Sequence, residues 1–334
     1  MDQHQINQSE TFTVTIIGFD HALASSITGA IDMFALAGVA WERIHQQQIK
    51  PRFRVNLASI DGSSIRCINN NILVPTVKLT EVLSSNIVLV PTIGGDVLSV
   101  LQQTRGILPE LIRLHRTGSD IASNCTGAFL LANAGLLDEH IATTHWGYAE
   151  QFQQLFPRVV LQVNQLITQD KQFFCAGGGM AWYDLVLRLI ERYCGHRTAA
   201  DTAKSHVIDF ARGQQAAYAP LHRRKFHHDK DILSLQDWLE QNYAQPIYIV
   251  DLAKRSALTP RTLNRRFKQA TGQTIQSYLQ SLRIEQAKRL LENSDLPIAE
   301  IVIRIGYEDL SSFARLFKRL TGLSPGYYRN SFRS

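Results

Sequence analysis

The feature that most constrains this chain is a repeat. Leu263 and Phe267 recur as Phe313 and Phe317, and Thr271-Gly272 recurs as Thr321-Gly322, each at an offset of 50 residues. A period of this size marks one supersecondary unit used twice. Each copy reads as two short helices around a tight turn. In the first copy, 249–256 is followed by a turn at Ala257-Leu258. The next helix starts at Thr259-Pro260, where a hydroxyl cap precedes a proline that needs no N–H. In the second copy, Pro297 opens 298–302, Gly306 makes the turn, and Asp309 or Ser311 caps the next helix. Gly322 ends that helix, as Gly272 ends its counterpart, and Ser324-Pro325 starts a tail helix. Between the copies, apolar residues at Ile275, Tyr278, Leu279, Leu282, Ala287, Leu290 and Leu291 predict one linking helix.

The second helix of each copy has two chemically different faces. Leu310, Phe313, Leu316 and Phe317 lie on one side, with Ser311, Ser312, Arg315, Lys318 and Arg319 on the other. In the first copy, Arg261, Thr262, Asn264 and Arg265 face away from Leu263 and Phe267, with Thr259 at the helix start. Small hydrogen-bonding side chains mixed with cations suit a DNA major groove, and a rigid pair of such helices can enter two successive grooves about 34 Å apart. The expected DNA contacts are Thr259, Arg261, Thr262, Asn264, Arg265, Ser311, Ser312, Arg315 and Lys318. A helical bundle with a basic surface would account for one such pattern, but not for two in register with matching caps. The charge agrees. From Asp229 onward, 16 Lys and Arg face 11 Asp and Glu, whereas the rest of the chain holds 19 against 18.

The stretch 232–332 closely resembles the DNA-binding domain of the AraC/XylS family of bacterial transcription regulators. The resemblance rests on Leu252-Ala253, Leu263-Asn264-Arg265-Arg266-Phe267-Lys268, Ile298-Ala299-Glu300-Ile301, Gly306-Tyr307, Phe313-Ala314-Arg315-Leu316-Phe317-Lys318 and Gly322-Leu323-Ser324-Pro325. The family more often has Ala and Cys where this chain has Val302 and Ile305, which are apolar-for-apolar exchanges.

A chain of 334 residues predicts two domains, each able to bury a core. Residues 1–10 are polar and lack the apolar stretch of a signal peptide, and no apolar run reaches membrane-spanning length. Cys67, Cys125, Cys175 and Cys194 show no CxxC spacing, so neither a zinc site nor a disulfide framework is expected. The protein is expected to be soluble and cytoplasmic, with reduced thiols and no cofactor or metal. Apolar periodicity stops near Gly213. The segment 214–220 then reads as a linker, and His222-Arg223-Arg224-Lys225-Phe226-His227-His228 as its solvated basic continuation, with phosphate contact or metal chelation as alternatives. The expected organisation is a domain over 11–212, a linker over 213–229 and an all-α domain over 230–334 with two helix-turn-helix motifs.

In the first domain, strand-like runs at 12–17, 53–58, 87–90 and 120–123 alternate with helical patterns at 23–37, 97–116 and 128–134. This alternation predicts a parallel sheet flanked by helices. Later strands are expected at 159–163, 166–168 and 172–175, and a helix at 180–193. At Ser123-Asn124-Cys125-Thr126-Gly127 a strand runs straight into a helix with cysteine at the junction. That is an elbow, and the helix start beneath it is expected to favour a thiolate. His145 follows twenty positions later, so a Cys–His pair could serve as nucleophile and base. Gly94 and Gly95 could offer backbone N–H groups to an anion. Cys67, Cys175 and Cys194 read as buried small apolar residues, Trp146 and Trp182 as core, and 177–179 as a tight turn.

This domain resembles the DJ-1/PfpI superfamily, flavodoxin-like relatives of class I glutamine amidotransferases. The matching residues are Gly94-Gly95, Cys125-Thr126-Gly127, Leu131-Ala132-Asn133-Ala134-Gly135-Leu136-Leu137 and Thr143-Thr144-His145-Trp146. Its fusion to an AraC-type tail is similar to the GlxA family of regulators. The resemblance implies a flavodoxin-like α/β fold, a homodimer on paired half-sites, and a small effector that is amino-acid-like or a quaternary amine. Its ligand pocket would hold Cys125, His145, Gly94, Gly95, Ser26 and Thr126. Much of the superfamily has an acidic residue where this chain has Ser26, and serine is a poor proton carrier. The expected activity is therefore that of a DNA-binding regulator without turnover. The alternatives are a cysteine-dependent amidase- or hydratase-like enzyme, or a thiol redox sensor, with a DNA-binding appendage.

Overall fold

A computed structural model describes residues 11–209, 215, 229–271 and 273–333. It divides into two compact units, Met1–Gln215 and Ala216–Ser334. The expected C-cap Gly272, residues 1–10, and the expected linker at 213–214 and 216–228, including the His222 to His228 run, lie outside the described residues.

The first unit forms around β-branched and apolar runs that become strands, the central ones buried on both faces. They are β1 (Phe12–Ile17), β2 (Phe53–Ser59), the short pair β3 (Ile65–Arg66) and β4 (Ile72–Leu73), β5 (Val77–Lys78), β6 (Ile87–Val90) and β7 (Asp120–Asn124). They continue as the short pair β8 (Ile141–Ala142) and β9 (Val160–Leu161), then β10 (Ile167–Asp170) and β11 (Phe173–Ala176). The main sheet has the order β10-β11-β7-β6-β1-β2-β5. It is parallel throughout except for the edge strand β10, which runs antiparallel to β11. Every residue of β6, β7 and β11 is buried, as expected for parallel strands covered on both sides. The chain builds outward from β1 through β2 and β5, then crosses back to β6 on the other side of β1. Such a switch point leaves a crevice beyond the carboxyl ends of the strands, where ligands of open α/β sheets bind.

The flanking helices are α1 (Ala24–Leu36), α2 (Ala40–Ile44), α3 (Val97–Gln103), α4 (Leu108–Arg116), α5 (Ala128–Asn133), α6 (Ala149–Leu155) and α7 (Trp182–Ser205). The single helix expected over 97–116 is broken into α3, a 3-10 turn and α4. Pro109 in the first turn of α4 supplies no N–H to continue the earlier ladder. The helix expected over 180–193 starts two residues later, after the 3-10 turn Gly179–Ala181, and continues to Ser205 across a kink at Gly195. The strand expected over 159–163 is reduced to the two residues of β9.

The second unit is all helix: α8 (Lys230–Asn242), α9 (Ile249–Arg255), α10 (Pro260–Thr271), α11 (Ile275–Asn293), α12 (Ile298–Arg304), α13 (Leu310–Thr321) and α14 (Pro325–Phe332). It has two small cores that share α11. Ile275, Tyr278 and Leu282 belong to the first, with Leu263 and Phe267. Ile284, Ala287 and Leu291 belong to the second, with Phe313 and Phe317. The linking helix is thus the common wall of both cores.

The repeat extends to individual hydrogen bonds. Thr271 Oγ1 donates to Phe267 O at 2.7 Å, and Thr321 Oγ1 to Phe317 O at 2.8 Å. Phe267 packs edge-on to Tyr278, and Phe317 to Tyr328, both with ring centroids 5.4 Å apart. Thr274 caps α11 as Ser324 caps α14. Leu310 departs from the sequence expectation. As the first residue of α13 it lies outside the second core and is 46% exposed. The turns also differ, since Ala257 holds a left-handed φ of 52° where Gly306 has 85°.

Left-handed backbone costs a residue with a side chain about 1–2 kcal/mol, and glycine's extra unfolded entropy offsets part of that. Ala257→Gly should therefore stabilise the protein by up to about 1 kcal/mol. Gly306→Ala should destabilise it by more, because a Cβ there would stand 2.5 Å from the Ala244 carbonyl oxygen. Calorimetric melting of the two full-length variants checks both signs, and a lower melting temperature for Ala257→Gly would refute the strain assignment.

Candidate functional site

The two helix-turn-helix copies are built by caps. Thr259 Oγ1 accepts from Thr262 N–H at 3.2 Å and lies 2.9 Å from the Thr262 hydroxyl. Asp309, not Ser311, caps α13, accepting from Ser312 N–H at 2.6 Å. With the apolar face buried, α10 exposes Arg261, Arg265 and Lys268, and leaves Thr262 and Asn264 half-buried beside them. α13 exposes Ser311, Ser312, Arg315 and Lys318, with Arg315 donating to Ser312 Oγ at 3.2 Å. Arg266 is different from its neighbour Arg265. It pairs with Asp229 at 2.7 Å and Asp231 at 2.9 Å, fastening α10 to the start of α8. Nothing in the local sequence distinguishes these two arginines, because the partners lie 37 and 35 residues away.

In the first unit, β7 ends at Asn124 and the chain turns sharply at Cys125, whose φ is 56°. Gly127 makes the turn possible. A Cβ there would meet the Pro91 carbonyl oxygen at 2.5 Å and that of Val90 at 2.8 Å. Cys125 is only 6% exposed. Burial pushes its thiol above the ordinary value of 9.0, while hydrogen bonds with the Thr126 and Gly179 backbones and the Thr126 and Thr92 side chains pull the other way without prevailing. The expected thiolate is therefore corrected to a neutral thiol. α5, which was to stabilise it, has six residues, and desolvation outweighs what so short a helix offers.

His145 is set for donation rather than base catalysis. Its Nδ1 accepts the Gly147 N–H at 2.9 Å, so in the neutral ring the proton sits on Nε2. Burial lowers its pKa below 6.5, which keeps the ring neutral at pH 7. The expected Cys–His pair is not what the thiol's surroundings hold, since its partners are Thr126, Gly179 and Thr92. The His145 ring instead lies against Gly178, with Trp146 at 5.1 Å and Tyr148 at 5.8 Å between ring centroids.

Other expected pocket residues prove to be framework. Ser26, fully buried, donates to Leu23 O at 2.8 Å and accepts from Thr92 N–H at 3.2 Å. It reaches the thiol only through Thr92. Thr126 donates to Ile93 O at 2.8 Å. Gly94 spends its N–H on His21 O at 2.8 Å, so it does not offer that group to an anion, while Gly95 sits under the His21 side chain. Trp182 and Cys67 and Cys175 are buried as expected, whereas Cys194 is half-buried.

Sequence reasoning missed four residues here. Thr144 Oγ1 donates to Cys125 O at 2.9 Å, and Asn124 Nδ2 to Thr92 Oγ1 at 2.6 Å. Asn124 Oδ1 is buried with no hydrogen-bond partner among the described residues. Gln215, read only as linker, is buried among the segments around the elbow. An unpaired acceptor, a neutral thiol and an imidazole N–H together can hold a small polar molecule. Among the described residues there is no group of three or more metal-ligating side chains, and no helix is long and apolar enough to cross a membrane.

A tandem helix-turn-helix unit and an α/β unit with a cysteine elbow define a transcription regulator of the AraC type. The DJ-1/PfpI family matches residues 10–191, and the helix-turn-helix domain family matches 252–331. The chain belongs to the DJ-1/PfpI family and to the GlxA-like regulators that join this domain to an AraC-type DNA-binding domain. It is 30% identical over 223 residues to the HTH-type transcriptional regulator GlxA of Rhizobium meliloti, covering 66% of this chain and 68% of that protein. It is 29% identical over 255 residues to the HTH-type transcriptional regulator CdhR of Pseudomonas aeruginosa, covering 72% and 74%. In fold, the structure of Drosophila melanogaster DJ-1beta aligns with a TM-score of 0.51 at 17% identity, over 60% of this chain and all of that one. A putative transcriptional regulator from Vibrio parahaemolyticus aligns at 0.50 and 22%, over 57% and 96%.

The raised thiol pKa has a direct readout. The folded state favours neutral Cys125, so this contribution to stability is full below the unfolded thiol pKa and is lost as pH rises through the folded one. Iodoacetamide modification of Cys125, followed by mass spectrometry, should still be accelerating above pH 9. A rate that levels off below that pH would show a stabilised thiolate instead.

Proposed function

We propose that this regulator is controlled by a small metabolite bound at the Cys125 elbow, and that two copies pair to present their DNA-binding units to repeated half-sites. The observation that carries the proposal is the neutral elbow: a buried thiol at positive φ, an unpaired Oδ1 on the preceding residue Asn124, and a His145 Nε2–H beside Gly178. Donors held neutral suit a carboxylate or carbonyl, and the aromatic faces of Trp146 and Tyr148 suit an ammonium group. An amino-acid-like or quaternary-amine effector fits both. Cys125 and His145 would touch it, with Ser26, Thr126, Gly94 and Gly95 as the supporting frame. We propose a cytoplasmic site of action, in keeping with the names of the regulators to which the chain is similar.

A thermal-shift screen of amino acids and quaternary amines against the full chain tests the effector, because a ligand that binds only the folded state raises its melting temperature. Cys125→Ala or His145→Ala should abolish the shift and alter effector-dependent transcription, without generating or removing any amide hydrolysis. Steady amide turnover abolished by Cys125→Ala would establish the enzyme alternative, and a mutant pair that still responds would place the effector elsewhere.

For the DNA face we propose contacts from Thr259, Arg261, Thr262, Asn264 and Arg265 of the first copy and Ser311, Ser312, Arg315 and Lys318 of the second. On DNA selected from a random pool, Arg265→Ala should weaken binding by about 1–3 kcal/mol if it reads a base. Arg266→Ala should instead lower the melting temperature through loss of Asp229 and Asp231, with the salt dependence of binding unchanged. Wild-type affinity for Arg265→Ala would remove it from the interface.

A further inference from the structure

Gln215 is the last residue of the first unit, and the second unit begins at the next position. Its side chain is nonetheless in the interior, 2% exposed. The carboxamide oxygen accepts the Gly178 N–H at 3.0 Å. The amide nitrogen donates to Thr144 O and to Val163 O, each at 2.8 Å. The Gln215 backbone N–H adds a bond to Asn164 O at 3.1 Å. Longer bonds from the same Gln215 amide nitrogen reach Thr143 Oγ1 and Gln165 O, each at 3.3 Å. One backbone donor and two close backbone acceptors, with a threonine hydroxyl beside them, form a socket for a primary carboxamide. Gly177 fits it closely, because a Cβ there would stand 2.5 Å from Gln215 Oε1.

The walls of this socket are also the walls of the elbow. Gly178 lies against the His145 ring, and the backbone of the next residue, Gly179, acts on the Cys125 thiol, favouring its ionised form. Thr144 precedes His145 and holds the Cys125 carbonyl. A molecule that displaces the Gly179 backbone from the thiol or moves the His145 ring acts on the immediate neighbours of Gly178, whose N–H grips Gln215. The geometry points to Gln215 as a latch: a carboxamide bound in cis, whose socket reports the state of the Cys125 site to the start of the connection leading to the DNA-binding unit. This rests on Cys125 being the effector site.

The coupling is tested without the effector, using iodoacetamide and DNA as probes on the full chain. Gln215→Ala and Gln215→Glu remove the amide donor, the second with little change in volume. Gly177→Ala crowds the socket while leaving Gln215 in place, and serves if the others fold poorly. A coupling of ordinary size changes an affinity or rate about fivefold or more. We expect at least that change in the rate of Cys125 alkylation and in the affinity of the full chain for selected operator DNA. Reciprocally, operator DNA should alter Cys125 alkylation in the wild type and not in the Gln215 variants. Operator affinity within about twofold of wild type in folded variants overturns the latch, whatever the alkylation rate, since a change of that size is below ordinary coupling. If these variants shift DNA affinity while Cys125→Ala and His145→Ala regulate normally, the socket still couples to DNA binding, but Cys125 as effector site, and the latch as its reporter, are overturned. If the reverse holds, the effector site stands without the latch.

Discussion

The close approach of Gly127 to the Val90 and Pro91 carbonyls is the constraint on which the first unit's chemistry depends. It lets the end of β7 fold back against the end of β6, and it forces Cys125 into left-handed backbone. Left-handed φ at a buried cysteine is costly, and such strain persists only where the surroundings over-determine it. Here Thr126 is pegged to Ile93, Thr144 to the Cys125 carbonyl, and Thr92 to both Asn124 and Ser26. Ser26 completes this net instead of handling protons. A neutral thiol, a neutral imidazole with its proton on Nε2 and a serine tied to a carbonyl are poor material for a proton-transfer chain, which is why we propose binding there.

The second unit shows how a duplicated design drifts while its physics is kept. Threonine hydroxyls close both recognition helices, and the same Phe–Tyr pair anchors each core. The position of Arg266 corresponds to Leu316, which is buried in the second core. The first copy has replaced an apolar anchor with an ion pair to the cap of α8. Asp229 serves both roles, accepting from Ile232 N–H and from Arg266. Arg266 and Asp229 are half-buried and Asp231 adds a second carboxylate, so the pair contributes more than an isolated surface one. Its consequence is geometric, since it fixes the side of α10 that carries Arg266 and leaves Arg261 and Arg265 on the open side.

Much of this was legible in the sequence because the informative patterns were local. β1 and β6 follow directly from Phe12-Thr13-Val14-Thr15-Ile16-Ile17 and Ile87-Val88-Leu89-Val90, and the caps at Thr259 and Asp309 follow from single residues beside helical periodicity. The failures share a cause, which is that they turn on contacts between distant positions. The thiolate expectation weighed the helix start and could not weigh burial. Ser26 was placed at the pocket without its bond to Leu23. Gln215 sits in a polar stretch that reads as linker, and its partners Thr144, Val163 and Gly178 are between 37 and 71 residues away. A buried glutamine has no periodic signature.

Energetics bound what such a connection can transmit. A ligand shifts an equilibrium only by its difference in affinity for the two states. Three close hydrogen bonds hold the Gln215 carboxamide, with two longer ones beside them. Each is worth about 0.5–1.5 kcal/mol net, and more if its loss leaves a buried group unpaired. Their sum covers the 1–3 kcal/mol typical of coupling between sites. The socket is therefore large enough to carry a regulatory signal and small enough to open without unfolding the sheet. A salt bridge buried in the same place would be harder to release, because each separated charge would have to be solvated or neutralised. A neutral amide, fully bonded when seated and readily hydrated when free, suits a part that must do both.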